Sequence, residues 1–288
     1  MIKKVGVVGA GMMGAEIALC FAREGYDTVL SDVSQELADR GKEKQAAVLD
    51  KNIKKGRITE ADKEATLANV KATGDIKDMA DRDLIIEAVL EDLDIKTGVY
   101  QQLDELCGPD TILASNTSSI SITKLAAGVS EERKGKFIGT HFNSPASVMK
   151  LVEVIPGLLT DDETVDEVIE LLNKIGKVPV RVKDVVGFGL NRIFHAMYLE
   201  ACRLVEEGVC TPEDVDKICQ YGLGHPMGIF KLLDITGQDL NLAVDKILFE
   251  AYGDRFRPSP QIIRLVDSGR LGRKSGAGFY DYSEKEKK

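Results

Sequence analysis

The segment Val5-Gly6-Val7-Val8-Gly9-Ala10-Gly11-Met12-Met13-Gly14, followed 18 residues later by Asp32, most constrains what this chain can fold into. The apolar run before Gly9 reads as a buried strand. Ala15-Glu16-Ile17-Ala18-Leu19 reads as a helix, and Thr28-Val29-Leu30-Ser31 as a second strand that ends at Asp32. Each glycine has a physical reason: Gly9 makes a tight turn, Gly11 allows close approach of a pyrophosphate, and Gly14 lets the helix pack on the strand. The helix N-terminus offers free backbone N–H groups and the positive end of its dipole to phosphates. A carboxylate at Asp32 can accept hydrogen bonds from a ribose diol. Strand, glycine loop, helix and acidic residue together imply a dinucleotide held by Gly9, Ala10, Gly11, Met12, Met13, Gly14 and Asp32. Asp32 would repel a 2′-phosphate, and Val33-Ser34-Gln35 bring no arginine, so the pattern favours NAD over NADP.

The 288 residues, 43% hydrophobic, suffice for one or two domains with real cores. A net charge of −9 argues against nucleic acid or an anionic membrane surface as partner. Five cysteines (Cys20, Cys107, Cys202, Cys210, Cys219) form an odd set without a C-x-x-C pair. That fits buried thiols in a reducing compartment better than disulfides or zinc, so no metal is expected. The glycine loop begins nine residues from Met1 and no apolar run reaches 18 residues. The expectation is therefore a soluble, cytoplasmic protein without a leader or membrane span.

Strand and helix patterns alternate through the first two-thirds. A polar helical stretch from Ser34 to about Lys55 and another from Thr59 to about Val70, interrupted at Gly56, suggest a helix pair protruding from the sheet at about 34–70. Thr59 with Asp62 resembles a capping signal. Apolar runs at 83–89, 111–114, 137–142, 151–155 and 178–182 supply further strands, with a helix from about Asp162 to Ile175. This order predicts an α/β, doubly wound (Rossmann) parallel sheet over 1–185. From Val186-Gly187-Phe188-Gly189 onward the periodicity is helical only, predicting a smaller all-helical domain over 186–288 for substrate binding and dimerisation. Its apolar stripes, Ile193, Met197 and Leu204 with Ile247, Leu248 and Phe249, need cover from its own fold or from a second copy. The polar tail 283–288 is expected to fray.

Ligands of open α/β sheets bind beyond the carboxyl ends of the strands. Polar residues cluster at such ends: Glu87 and Glu91, then Ser115-Asn116-Thr117-Ser118-Ser119, then His141-Phe142-Asn143. Of three histidines, His195 falls inside a helix as a packing or surface residue, and His225 belongs to a glycine-rich loop. His141, at a strand end beside a polar loop, is where a general acid/base would be placed, with a structural histidine as the alternative. Glu153 is a carboxylate within an apolar strand. A buried acid needs a partner and a catalytic histidine an orienting group, so pairing them satisfies both. An edge-strand residue facing solvent is the other reading.

The loop Gly9–Gly14 and the runs Ala114-Ser115-Asn116-Thr117-Ser118-Ser119, Met149-Lys150-Leu151-Val152-Glu153-Val154 and Gly187-Phe188-x-x-Asn191-Arg192 resemble those of the L-3-hydroxyacyl-CoA dehydrogenase family. So do Gly224-His225-Pro226-Met227-Gly228 and Gly272-Arg273-Lys274-Ser275-Gly276-x-Gly278-Phe279-Tyr280. The resemblance runs in order to Tyr282, and the short length is similar to that of the bacterial 3-hydroxybutyryl-CoA members. It implies an NAD-dependent oxidoreductase acting on acetoacetyl-CoA and (S)-3-hydroxybutyryl-CoA. His141 would move the proton of the 3-hydroxyl, Glu153 would hold the imidazole, and Ser118 and Asn191 would bind the reacting oxygen. It further implies NAD contacts from Asp32, Glu91, Lys96, Asn116, Ser118 and Lys274, coenzyme A contacts from Lys51, Lys55 and Ser118, and a homodimer or higher homo-oligomer. Lys51 and Lys55 stand four apart on a predicted helix and so on one face; a solvated charged face is their other reading.

Two departures stand out. Where the family has His-Phe-Phe-Asn-Pro, this chain has His141-Phe142-Asn143-Ser144-Pro145, and Ile229 takes a common proline position. Ser144 thus falls at a cofactor-binding position, and Asn143 or a water is expected to take over part of the missing amide's role. Two rival functions remain open: a dehydrogenase of a free hydroxy or sugar acid, and a catalytically silent NAD-binding structural protein.

Overall fold

The computed structural model describes residues 2–283, so the tail at 284–288 lies outside the described residues. The chain divides into two compact units, Met1–Val185 and Val186–Lys288. The first contains β1 (Lys4–Val8), α1 (Met12–Arg23), β2 (Asp27–Ser31), α2 (Gln35–Lys54), α3 (Glu60–Ala68), β3 (Val70–Thr73), β4 (Leu84–Glu87) and α4 (Leu93–Leu106). It continues with β5 (Ile112–Ser115), α5 (Ile122–Ala126), β6 (Phe137–Phe142), β7 (Leu151–Pro156), α6 (Asp162–Lys174) and β8 (Val178–Arg181). The strands form one sheet in the order β3-β2-β1-β4-β5-β6-β7-β8. Chain order runs outward in both directions from β1 and β4, which makes the carboxyl ends of these two strands the switch point where ligands bind in such sheets. The central strands are buried on both faces, Val5, Val7, Ile85, Ile86, Leu113 and Ile138 being fully covered.

The sheet is not wholly parallel. β7 runs antiparallel to β6, while β8 returns parallel to β7. Only residues 143–150 join β6 to β7, too few for the crossover that a parallel pair needs. The second predicted helix also ends early: α3 stops at Ala68, and Val70–Thr73 pair with β2 as an edge strand. At α3, Thr59 and Asp62 form a reciprocal capping box. Nor does the helix pair simply protrude, since Ala38, Gly41, Gln45 and Leu49 of α2 are buried and the Gln45 amide donates to the Ala15 carbonyl at 2.8 Å.

The second unit holds α7 (Leu190–Glu206), α8 (Pro212–Lys217), α9 (Ile229–Thr236), α10 (Gln238–Tyr252) and α11 (Pro260–Asp267), with isolated bridges Gly272–Ala277 and Ala277–Asp281 as the only strand pairing among its described residues. Tyr198, Phe230, Leu233, Leu248 and Ile262 fill its core. Leu248 is therefore covered by its own unit, whereas Ile193 is 70% exposed. Two buried acids tie down the final segment. Asp234 accepts the Phe279 and Tyr280 N–H groups and the Tyr282 hydroxyl, and Asp216 accepts the Tyr280 hydroxyl at 2.7 Å.

Candidate active site

The glycine loop follows from contacts that a side chain would forbid. Gly9 has φ 101°, and a Cβ there would lie 2.7 Å from the Ala88 carbonyl oxygen. A Cβ on Gly14 would overlap the Gly9 carbonyl oxygen. A Cβ on Gly11 would meet nothing within 4 Å, so open space lies before the first turn of α1, which no side chain caps. That is the cradle a pyrophosphate requires. The Asp32 carboxylate accepts the Ala10 N–H at 2.7 Å and the Val33 N–H at 2.7 Å. The acidic residue after β2 thus also holds the loop.

At the ends of β4 and β5 the polar residues form one network. Glu87 and Ser115 are paired in register, and the Ser115 hydroxyl donates to Glu87 Oε2 at 2.8 Å. The fully buried Glu87 also accepts the Lys96 ammonium at 2.5 Å, the Tyr100 hydroxyl at 3.1 Å and the Val89 N–H at 2.7 Å. Lys96 is itself buried and lies 3.3 Å from Glu91. Glu91 Oε1 accepts the Thr117 hydroxyl at 2.5 Å and the Ser118 and Ser119 N–H groups at 2.9 Å each. Burial pushes the Glu91 carboxyl up, but the charge of Lys96 and these donors outweigh it and hold it below its ordinary range. In the structure, Lys96 and Glu91 therefore build the wall that carries Ser118. The Asn116 side-chain oxygen accepts the Phe142 N–H at 2.9 Å, linking this loop to the end of β6.

His141 and Glu153 stand directly opposite each other across β6 and β7, both buried, with Nδ1 2.8 Å from Oε2. β7 lies between β6 and β8, so Glu153 is not an edge residue facing solvent. A carboxylate at Nδ1 keeps the proton there and leaves the lone pair at Nε2. Ser144 is exposed beside these strands. The Asn143 amide donates to the Leu151 carbonyl at 3.2 Å, across the mouth of the β6–β7 hairpin. Lys51, in the last turn of α2, and Lys55, its C-cap residue, are both exposed. In the second unit, Asn191 occupies the first turn of α7, and Lys274 pairs with Asp239 at 2.6 Å. His195, a packing or surface residue by its helical position, is buried and bonded to Asp245 at 2.8 Å.

The sequence matches the family models described as 3-hydroxyacyl-CoA dehydrogenase, NAD binding domain, over residues 4–185, and 3-hydroxyacyl-CoA dehydrogenase, C-terminal domain, over residues 187–282. The chain belongs to the 3-hydroxyacyl-CoA dehydrogenase family. It is 46% identical over 280 residues to the "Probable 3-hydroxybutyryl-CoA dehydrogenase" of Deinococcus radiodurans, covering 97% of this chain and 100% of the relative. It is 43% identical to the 3-hydroxybutyryl-CoA dehydrogenase of Clostridioides difficile over 98% of this chain and 100% of the other. The crystal structure of (S)-3-hydroxybutyryl-CoA dehydrogenase from Ralstonia eutropha superposes with a TM-score of 0.93 at 42% identity, covering 99% and 100% of the two chains. The dehydrogenase binds NAD, and the open cradle at Gly11 and the carboxylate of Asp32 fit that group. No described helix is long and apolar enough to cross a membrane.

Three contributors carried no signal in the sequence. Tyr100 lies on α4 with its hydroxyl on Glu87, Glu16 on α1 accepts the Ser147 N–H at 3.1 Å, and Lys177 is a buried lysine before β8. Each reads as an ordinary amphipathic or surface residue until the fold brings its partner near.

Proposed function

We propose that this dehydrogenase interconverts (S)-3-hydroxybutyryl-CoA and acetoacetyl-CoA, with the His141–Glu153 pair as its acid–base device. The observation that carries the reading is the buried pair itself: register places imidazole and carboxylate face to face at the ligand end of the sheet, with Nδ1 2.8 Å from Oε2. Nε2 of His141 takes the 3-hydroxyl proton in oxidation and returns it in reduction, and Glu153 stabilises the positive charge the ring acquires. Positioned transfer of this kind contributes about 10²–10⁴ in rate. Bound NAD supplies the hydride chemistry at C3. Ser118 and Asn191 hydrogen-bond the reacting oxygen. Asp32, Glu91, Lys96, Asn116, Ser118, Ser144 and Lys274 serve the cofactor, Glu91 and Lys96 mainly by holding the Thr117–Ser119 backbone. Lys51, Lys55 and Ser118 serve coenzyme A, which the two exposed ammonium groups suit.

The short acyl chain is supported by the names of the relatives at 46% and 43% identity and by the Ralstonia structure. The test is absorbance at the NADH band with acetoacetyl-CoA and free acetoacetate side by side. Oxidation of NADH by the thioester alone is expected. Equal oxidation by the free acid would favour the rival that uses no coenzyme A, and inertness toward both would favour the silent NAD-binding protein. The assembly proposed is a homo-oligomer joined through the second unit.

A further inference from the structure

The loop between the acid–base histidine and its carboxylate is held by a cation that the chemistry does not use. Lys177 is buried at 9% exposure, and its ammonium donates to the Ala146 carbonyl at 2.5 Å and the Met149 carbonyl at 3.0 Å. No carboxylate pairs with it among the described residues. The Cys20 thiol donates to the same Ala146 carbonyl at 3.3 Å. On the other side of the loop, Glu16 of α1 accepts the Ser147 N–H at 3.1 Å and its hydroxyl at 3.3 Å. A buried ammonium is costly unless its hydrogen bonds are met, and here two loop carbonyls take two of its three N–H donors while the Cys20 side chain lies in hydrogen-bonding contact with it.

Residues 143–150 are the turn that sets β6 against β7, and this register puts His141 opposite Glu153. Because strand side chains alternate with a period of two, a slip of one residue would turn Glu153 to the other face of the sheet. We infer that Lys177 is a positioning residue for the His141–Glu153 pair, fixing the hairpin loop so that Nδ1 and Oε2 stay in bonding distance. The inference rests on the acid–base reading of that pair. Lys177 acts through the loop carbonyls of Ala146 and Met149, which lie between the two strands that carry His141 and Glu153.

The test compares Lys177→Met, Lys177→Arg and His141→Gln in the full-length enzyme, by kcat for acetoacetyl-CoA, the pH profile of kcat, and NADH affinity from fluorescence. Lys177→Met is expected to lower kcat at least about ten-fold and to displace the pH profile, with NADH affinity within about two-fold of the parent. Lys177→Arg, which keeps a cation, should recover part of the rate. If Lys177→Met does not fold, Lys177→Gln carries the same comparison, with a smaller expected loss. A folded Lys177→Met or Lys177→Gln enzyme with kcat within two-fold and an unshifted profile overturns the inference. Full turnover by His141→Gln instead overturns the acid–base reading on which it rests, so the two failures are distinguishable.

Discussion

The Asp32 carboxylate accepts the Ala10 N–H at 2.7 Å, so the residue that closes β2 also fixes the middle of the glycine loop. On the proposed reading of Asp32 as a ribose acceptor, removing it has two effects, loss of that acceptor and loosening of the loop. Asp32→Ala is expected to raise KM for NADH by about ten-fold or more, in keeping with the roughly 1.5–3 kcal/mol of a hydrogen bond to a charged group. The preference for NADH over NADPH should narrow, because the repulsion of a 2′-phosphate is gone. Steady-state kinetics with both cofactors check this; an unchanged KM for NADH would show that neither effect of Asp32 reaches cofactor binding.

The buried His141–Glu153 pair predicts a kcat effect separated from binding. His141→Gln should lower kcat by about 10² or more while NADH affinity stays near the parent's, since proton transfer is a transition-state contribution. Glu153→Gln keeps the size and one acceptor but not the charge, and should also cost rate. Fluorescence titration with NADH alongside turnover separates the two quantities, and equal loss of both would point to a damaged fold.

How much of this was legible in the sequence depends on how local each cause is. The glycine loop was legible because the demands on Gly9 and Gly14 arise within a dozen residues and Ala88. The pairing of His141 with Glu153 was legible only as mutual need, a buried acid and an unoriented imidazole, and register supplied the rest. β3 was hidden because Val70-Lys71-Ala72-Thr73 is short and partly polar, and only pairing with β2 makes it a strand. The antiparallel β7 followed from a connection too short to cross over, a constraint of length that apolar pattern alone does not carry. Lys177 was illegible altogether: its burial comes from the loop folded over it, not from its neighbours in sequence.

Glu91 makes a pH-dependent contribution to stability. Its carboxyl lies below its ordinary value of 4.5 in the folded chain because, against burial, Lys96 and the donors of Thr117, Ser118 and Ser119 favour the charged form. A depressed folded-state value gives stability that is fully present above the unfolded value and lost as pH falls through the folded one. The gap in urea midpoint between parent and Glu91→Gln should thus hold from pH 7 to 5 and close below about pH 4.5. A gap that widens on acidification contradicts this assignment.

The thiols predict a labelling pattern. Burial pushes Cys107 up to about 11 and Cys202 up to about 12, and also raises Cys20 and Cys219. All four are buried, whereas Cys210 is partly accessible. Thiolate is the reactive form, so a disulfide reagent at pH 8 should consume one thiol rapidly in the native enzyme, and Cys210→Ser should abolish that phase. Two or more rapid equivalents would mean that one of the buried sites opens readily.

The second unit leaves large apolar side chains uncovered after its own core is filled. Ile218 is 53%, Tyr221 86% and Leu223 62% exposed within one short stretch, and Ile193 and Leu240 are 70% and 56% exposed elsewhere on the unit. Exposed apolar groups gathered in this way mark interaction surfaces more often than plain solvent faces, and a second copy joined about a two-fold axis covers them with one patch used twice. Light scattering at micromolar concentration should therefore report at least twice the 31.4 kDa of the chain. If the 218–223 stretch forms that patch, Tyr221→Glu combined with Leu223→Glu should shift the mass toward the single chain without unfolding it, since neither side chain contributes to the core of the unit. A monodisperse 31.4 kDa parent would overturn the assembly, and a double variant that keeps the parent mass would move the interface to another face of the unit.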